Sequence, residues 1–150
     1  MRKRQASRVF LFNPQGEILL VRFAIPRRDG QIFVFWAAPG GEIEGDETPA
    51  EAAHREIIEE LGLDLNFEGP IWVDHNCFEY RGEMLDNTDH YLRAECERDA
   101  PKLIGFTAEE LEIMKEIRWW TAEEIDAANQ TEERIFPEGL AAWVHKLRSN

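Results

Sequence analysis

The chain has few cysteines and no long hydrophobic run, and each deficit excludes a class of protein. The two cysteines, Cys77 and Cys96, are too few for a disulfide scaffold in 150 residues and match no CxxC pairing of structural zinc. We expect both to be reduced thiols. The longest apolar run, Ile32–Ala38, has seven residues, whereas roughly 20 are needed to cross a bilayer. The sequence therefore predicts no membrane span.

Basic residues are also scarce, with 17 Lys and Arg against 30 Asp and Glu and a net charge of −13. Nonspecific binding to nucleic acid needs a basic surface that displaces counterions, so we expect none here. A polyanionic ligand would need help from cations. The basic start Met1–Arg4 is followed by an apolar stretch, Val9–Phe12, that is too short for a secretory signal. We therefore expect a cytoplasmic protein.

The length and the 43% hydrophobic content predict a single globular domain over residues 1–150. Alternation, β-branched residues and turn residues predict strands in six segments. These segments are Val9–Phe12, Ile18–Phe23, Ile32–Trp36, Ile71–Tyr80, His90–Cys96 and Ile117–Trp120. The first two should form a hairpin, and Ile71–Tyr80 with His90–Cys96 a second antiparallel pair around turns at residues 81–83 and 86–87.

Capping signals predict the helices. Thr48 and Glu51 form a capping box around Pro49, and Gly62 is placed to end that helix. Thr121 starts a second capping box, and we predict a closing helix over Leu140–Leu147. The order of strands, helix, strands and helices predicts an α+β domain with helices packed on a mixed sheet.

The first predicted helix carries three glutamates on one face. With Glu56 set at 0° on a helical wheel, Glu59 lies near 300° and Glu60 near 40°, because successive residues turn by about 100°. Ile57, Ile58 and other apolar residues fall at about 100° to 200°, so we expect the carboxylates to point away from the core. Residues 41–63 contain eight acidic residues and one basic residue, Arg55.

Two interpretations of this acidic helix remain open. A solvated acidic face would be screened by water and salt, and Arg55 would then be only a structural ion-pair partner of nearby glutamates. Alternatively, the carboxylates hold a hard divalent cation such as Mg²⁺, which prefers one or two carboxylates together with waters and substrate phosphates.

The residues themselves match a known pattern. Gly41, Glu47 and the run Arg55–Leu63 fit G-x5-E-x7-R-E-U-x-E-E-x-G-U at every position, where U is a bulky aliphatic residue. This pattern is the signature of Nudix hydrolases, and the chain resembles that family. The neighbouring segments Trp36–Gly41 and Arg118–Thr121 also resemble common Nudix surroundings, which extends the resemblance to most of the chain.

The resemblance implies an α/β/α sandwich with a mixed sheet and helices on both sides. It also implies that the protein binds Mg²⁺ or Mn²⁺ and cleaves a diphosphate linked to another moiety. We expect the substrate to be a nucleotide or its derivative rather than a phosphoinositol. By motif position, the expected metal ligands are the carboxylates of Glu56, Glu59 and Glu60 and the carbonyl of Gly40.

By the same resemblance, the expected catalytic residues are Glu56, Glu59 and Arg55, which would orient Glu56. Glu56 would also activate water. The expected supporting residues are Gly41, Glu47 and Gly62. Family members differ in which residue acts as base, so a later acidic residue is an alternative, and the candidates are Glu109, Glu110 and Glu116. The alternative interpretation of each is an ordinary acidic residue on a helix surface.

Substrate contacts are less constrained by the sequence. Trp119 or Trp120 could stack on a nucleobase, since neighbouring strand residues face opposite sides and only one need be buried. Arg27 could bind a phosphate, although a solvated loop is the simpler interpretation. Two alternatives to this hydrolase remain open, a diphosphate isomerase of the same fold and a nucleotide-sensing module without turnover. A homodimer is also possible with any of the three.

Overall fold

The computed structural model describes residues 1–97 and 114–148, and these two ranges contain seven strands and three helices. The strands are β1 (Arg2–Phe12), β2 (Ile18–Pro26), β3 (Ile32–Ala37), β4 (Gly40–Glu42), β5 (Glu68–Tyr80), β6 (Glu83–Glu95) and β7 (Met114–Trp120). The helices are α1 (Pro49–Leu61), α2 (Ala122–Ala128) and α3 (Leu140–Leu147). None of the helices in these two ranges is long and apolar enough to span a bilayer.

The sheet is mixed because β1 pairs in two directions. It runs parallel to β6 along its whole length, from Arg2 opposite Leu85 to Phe12 opposite Glu95, and antiparallel to the short β4. β5 and β6 form an antiparallel hairpin, and β2 lies between β3 and β7. β1 and β2 pair only where Phe12 meets Ile18, so the two strands diverge from there.

Helices cover both faces of this sheet, as the α/β/α prediction requires. Successive side chains of a strand point to opposite faces. Val9 and Leu11 therefore pack in one cluster with Ile57 of α1, while Phe10 and Phe12 pack in the other with residues of α2 and α3. Burial of these two apolar layers is the main force that holds the helices on the sheet.

The capping predictions are confirmed. The Thr48 hydroxyl accepts a hydrogen bond from the Glu51 backbone N–H, and the Glu51 carboxylate accepts one from the Thr48 N–H. Gly62 ends α1 in the left-handed conformation at φ 70°. A second capping box at Thr121 and Glu124 starts α2.

Two predictions about the strands need correction. β1 starts at Arg2 rather than Val9, because the polar residues before Val9 pair with β4 and β6. Asp86 and Asn87 are not turn residues but lie within β6 opposite Cys77 and Asn76. Only Arg81 and Gly82 form the turn, and both have the positive φ values, 50° and 78°, that suit a two-residue hairpin turn.

Candidate functional site

A cleft of about 770 Å³ brings together the sequence-predicted glutamates and residues from both halves of the sheet. β2 and β3 contribute mainly phenylalanines to it, and β1, β5 and β6 contribute charged and amide side chains. Near α1 it is lined by Gly40, Gly41, Glu56 and Glu60. Its size and its combination of apolar walls with convergent polar groups are typical of a small-molecule site.

Of the three predicted carboxylates, Glu56 and Glu60 reach the cleft. The Glu56 side chain is 13% exposed and Glu60 as a residue 3% exposed. Glu59 is not among the lining residues. Its side chain is 55% exposed, with Oε2 3.6 Å from Arg55 Nη1.

The expectation that all three carboxylates point away from the core is therefore wrong for Glu60. The buried face of α1 is centred between Ala53 and Ile57, which places Glu60 inside, whereas Ile58 is 39% exposed. The helix tolerates a buried carboxylate there because the cleft interrupts the core and because the nearby Arg8 is positively charged.

Arg55 ties the signature loop to the helix. Its Nε and Nη2 atoms donate to the two carboxylate oxygens of Glu47 at 2.7 and 2.9 Å, and its Nη1 donates to Glu56 Oε1 at 2.7 Å. Nη2 also donates to the Glu42 carbonyl at 3.0 Å. The bidentate contact between Arg55 and Glu47, together with the hydrogen bond from the Glu44 backbone N–H, lowers the pKa of Glu47 to about 2. Glu47 in turn raises the pKa of Arg55.

The two glycines at the start of the signature, Gly40 and Gly41, leave space that a side chain would fill. A β-carbon on Gly40, which has φ 148°, would overlap the Ser7 carbonyl of the paired strand. A β-carbon on Gly41 would lie 2.5 Å from the carboxyl carbon of Glu56. The absence of a side chain at Gly41 therefore makes the space that the Glu56 carboxylate occupies.

Local sequence patterns gave no indication of a polar network on the β1–β6–β5 side of the cleft. Arg4 Nη1 donates to Asn87 Oδ1 at 3.0 Å, and Asn87 Nδ2 donates to Asn76 Oδ1 at 3.3 Å. Asn76 Nδ2 donates to Asp89 Oδ2 at 3.2 Å, and Asp89 Oδ1 lies 3.5 Å from Arg8 Nε. The network joins Arg4 to Asn87 and Arg8 to Asp89, which are more than 80 positions apart in the sequence, so no local pattern indicates it.

Charge and burial oppose each other in this network. Burial disfavours the charged form of Arg8, but Asp89, with Tyr91 and Glu60, outweighs it and raises the pKa of Arg8. Burial, followed by repulsion from Arg8, lowers the pKa of Arg4 to about 10, which still leaves it a cation at neutral pH. The cleft therefore holds two partly buried positive charges, and Arg8 is the one that interacts with Glu60.

Four partly exposed phenylalanines form an aromatic surface in the cleft, and we call Phe23, Phe33, Phe35 and Phe136 the phenylalanine wall. The rings of Phe23 and Phe35 stack with centroids 5.2 Å apart, and Phe136 meets Phe35 edge-on at 5.7 Å. Arg27, predicted as a phosphate contact, lines the same cleft with its guanidinium 4.2 Å from the Phe33 ring centroid. A flat ligand could stack on this surface.

The two predicted tryptophan contacts do not line the cleft, and this is a correction. Trp120 is 1% exposed and packs edge-on against Trp36 in the core, with the Arg118 guanidinium 3.8 Å from its ring centroid. Trp119 packs against the cluster that contains Val9 and α1. Trp120 is therefore enclosed in the core, and Trp119, which is partly buried, lies outside the lining of the cleft.

Different aromatic residues, Trp72 and Tyr91, line the cleft and stack on each other at 5.1 Å. Of the candidate alternative bases, Glu116 is not among the lining residues and lies 3.8 Å from Arg22 on β2. Glu109 and Glu110 lie outside the described residues.

Fold and site together define a Nudix protein. A family model described as the NUDIX domain matches residues 2–143, so the chain belongs to this family. Solved structures agree on the fold. A MutT protein from Methanosarcina mazei Go1 superposes with a TM-score of 0.63 and 20% identity, covering 97% of this chain and 92% of its own. The dihydroneopterin triphosphate pyrophosphohydrolase of E. coli superposes with a TM-score of 0.62 and 18% identity, covering 99% and 98%.

Sequence relatives match over shorter stretches. An RNA pyrophosphohydrolase of Xylella fastidiosa (strain M12) is 40% identical over 60 residues, which is 35% of this chain and 32% of the relative. An 8-oxo-dGTP diphosphatase of Proteus vulgaris is 52% identical over 31 residues, 21% of this chain and 28% of its own. The chain thus spans about a third of the length of these curated relatives.

Proposed function

We propose that this protein is a divalent-metal-dependent pyrophosphohydrolase that cleaves a diphosphate linkage in a nucleotide or nucleotide derivative. The observation that carries the proposal is the position of Glu56 and Glu60, which line one cleft together with the phenylalanine wall and the arginines of β1. Family membership and the pyrophosphohydrolase and diphosphatase names of its relatives support it. We further propose that residues 1–150 form one domain. The cytoplasmic location and the homodimer stay predictions from the sequence.

The residues present fit Mg²⁺ or Mn²⁺. In residues 1–97 and 114–148, no group of three His, Cys, Asp or Glu side chains forms a ready metal cluster. Mg²⁺ does not need one, because it binds through one or two carboxylates and completes its shell with waters and phosphates. Glu56 and Glu60 would hold the ion with the Gly40 carbonyl. Glu59, which is exposed and outside the lining, would join them in the loaded state.

When bound, such an ion would neutralise charge on the phosphate oxygens and make a nearby water easier to deprotonate. The chain itself supplies the positioning. Arg55 restrains Glu56 through its 2.7 Å hydrogen bond, so this carboxylate, our proposed proton acceptor for the attacking water, has a fixed position. The phenylalanine wall would hold the flat part of the substrate by stacking.

Phosphate release from a panel of substrates tests the proposal. The panel contains nucleoside triphosphates, ADP-ribose, dinucleoside polyphosphates and capped or 5′-triphosphorylated RNA fragments, each with Mg²⁺, with Mn²⁺ and with EDTA. We expect turnover of at least one substrate with metal and none with chelator. Binding without turnover would instead indicate a nucleotide-sensing module, and a rearranged product an isomerase.

Matched variants of α1 test the residues. Glu56→Gln and Glu60→Gln should each lower kcat by about a hundredfold or more, in the range that follows loss of a positioned charged group. Glu51→Gln makes the same chemical change on the same helix and retains the capping box, so it should keep kcat. Near-normal turnover in Glu56→Gln would refute its assignment.

A further inference from the structure

Arg4 is a cation of the cleft that has no acidic partner within ion-pairing distance among the described residues. We propose that it binds a second anionic group of the substrate, a phosphate that lies beyond the linkage to be cleaved. The identity of that linkage rests on the proposed function, whereas the anion site itself depends only on the cleft and Arg4.

The surroundings hold Arg4 in place without neutralising it. Its Nη1 donates to Asn87, which is fully buried and fixed in turn by Asn76, and its guanidinium lies 5.8 Å from the Phe78 ring centroid. Asn87 and Phe78 are both uncharged. Asp89 and Glu42 act on the guanidinium only from beyond ion-pairing distance. It therefore has a defined orientation and a charge that no direct ion pair compensates, which suits bidentate recognition of a phosphate.

The other arginines of β1 differ from Arg4 in this respect. Arg2 is paired with Glu83 at 2.9 Å and with Glu42 at 3.4 Å, and Arg8 lies 3.5 Å from Asp89. Within the described ranges, no carboxylate oxygen comes within ion-pairing distance of Arg4. Placing a half-buried cation next to another arginine costs free energy, and a phosphate bound there would offset that cost.

The register of β1 separates Arg4 from the metal end of the cleft. Arg8 lies opposite Gly40, beside the proposed metal ligands. Arg4 is four residues further along the strand, about 13 Å at 3.3 Å per residue. A group that reaches Arg4 is therefore distinct from the diphosphate at Glu56, which favours substrates with a further phosphate, such as a longer polyphosphate chain or a second nucleotide.

Calorimetric titration of the full chain with inorganic tripolyphosphate in EDTA tests the site without catalysis. Arg4→Gln should weaken binding about tenfold or more, as expected for loss of a charge-assisted contact. Lys3→Gln is the matched control, because it removes the same charge from an exposed residue on the opposite face of β1 and should change affinity by less than about twofold. Asn87→Asp keeps Arg4 but gives it a carboxylate partner, and it should weaken binding as Arg4→Gln does.

Three results would overturn the proposal: no binding of tripolyphosphate by the wild type, equal binding by Arg4→Gln, or an equal loss in Lys3→Gln. If Arg4→Gln fails to fold, Asn87→Asp decides between the outcomes. For any hydrolysed nucleoside triphosphate, Arg4→Gln should also raise KM more than it lowers kcat. If no diphosphate is hydrolysed, the proposed function fails but the calorimetric result still stands.

Discussion

Gly41→Ala should damage catalysis while leaving the fold intact. A β-carbon at Gly41 would lie 2.5 Å from the Glu56 carboxyl carbon and 2.6 and 2.7 Å from its two oxygens. Ordinary contacts begin at 3.4 Å. The carboxylate must therefore move by about 1 Å, a displacement that can cost on the order of a hundredfold in rate when the group is catalytic.

The expected effect on stability is much smaller. The backbone of Gly41 is not among the positive-φ glycines, so alanine fits its conformation. Replacing glycine at such a position stabilises by about 0.4–1 kcal/mol through the unfolded chain, whereas local overpacking costs about 1–3 kcal/mol. The two effects oppose each other, so the net loss should stay below about 3 kcal/mol.

The assay is kcat with the best substrate of the panel, together with the free energy of unfolding from urea titration. Gly30→Ala is the control, because a β-carbon at that position would contact nothing within 4 Å in the described part of the chain, and the strain from its φ of 82° falls in the turn between β2 and β3, outside the signature loop. It should keep kcat. A Gly41→Ala enzyme with kcat within about threefold of the wild type would show that the position of the Glu56 carboxylate does not limit the reaction.

Three further predictions concern other parts of the molecule. The folded-state pKa of Glu47 is about 2 against an ordinary 4.5, so its ion pair with Arg55 should stabilise the fold fully above about pH 4.5 and lose that contribution as the pH falls towards 2. The free energy of unfolding, measured across this range, should depend less steeply on pH in Glu47→Gln than in the wild type. Equal slopes in the two proteins would contradict the assignment. Phe35→Ala should raise KM about fivefold or more for nucleotide substrates by removing a stacking surface. It should leave the calorimetric affinity for inorganic tripolyphosphate unchanged, and equal losses for both ligands would exclude stacking. Thr48→Ala should destabilise the protein by about 1 kcal/mol through loss of the N-cap without changing KM, which thermal unfolding and kinetics measure together.

The helices were predictable because their signals are local. Thr48, Glu51 and Gly62 satisfy the end groups of α1 by hydrogen bonds that span only a few residues. The same locality explains the agreement at Thr121, where a second capping box starts α2. The acidic signature could also be identified from the sequence, because its residues fall on one helix and the loop before it.

The depth of each glutamate could not be predicted in this way. A helical wheel orders Glu56, Glu59 and Glu60 around an axis but does not say which angle faces the protein. Packing of Ile57 and Leu61 against β1 turns Glu60 inward and leaves Ile58 exposed. The tryptophans of β7 show the same limit, since alternation predicts that they face opposite sides but not that helices cover both.

From its sequence alone, the chain revealed its family, its helix ends and the carboxylates proposed to hold metal. Only the tertiary structure decided which of those carboxylates enter the cleft and which residues face them. Parallel pairing of β1 with β6 brings Arg4 beside Asn87 and Arg8 beside Asp89. Such contacts depend on strand register across some 80 residues, and a one-residue slip would reverse every side chain, so no local pattern could specify them.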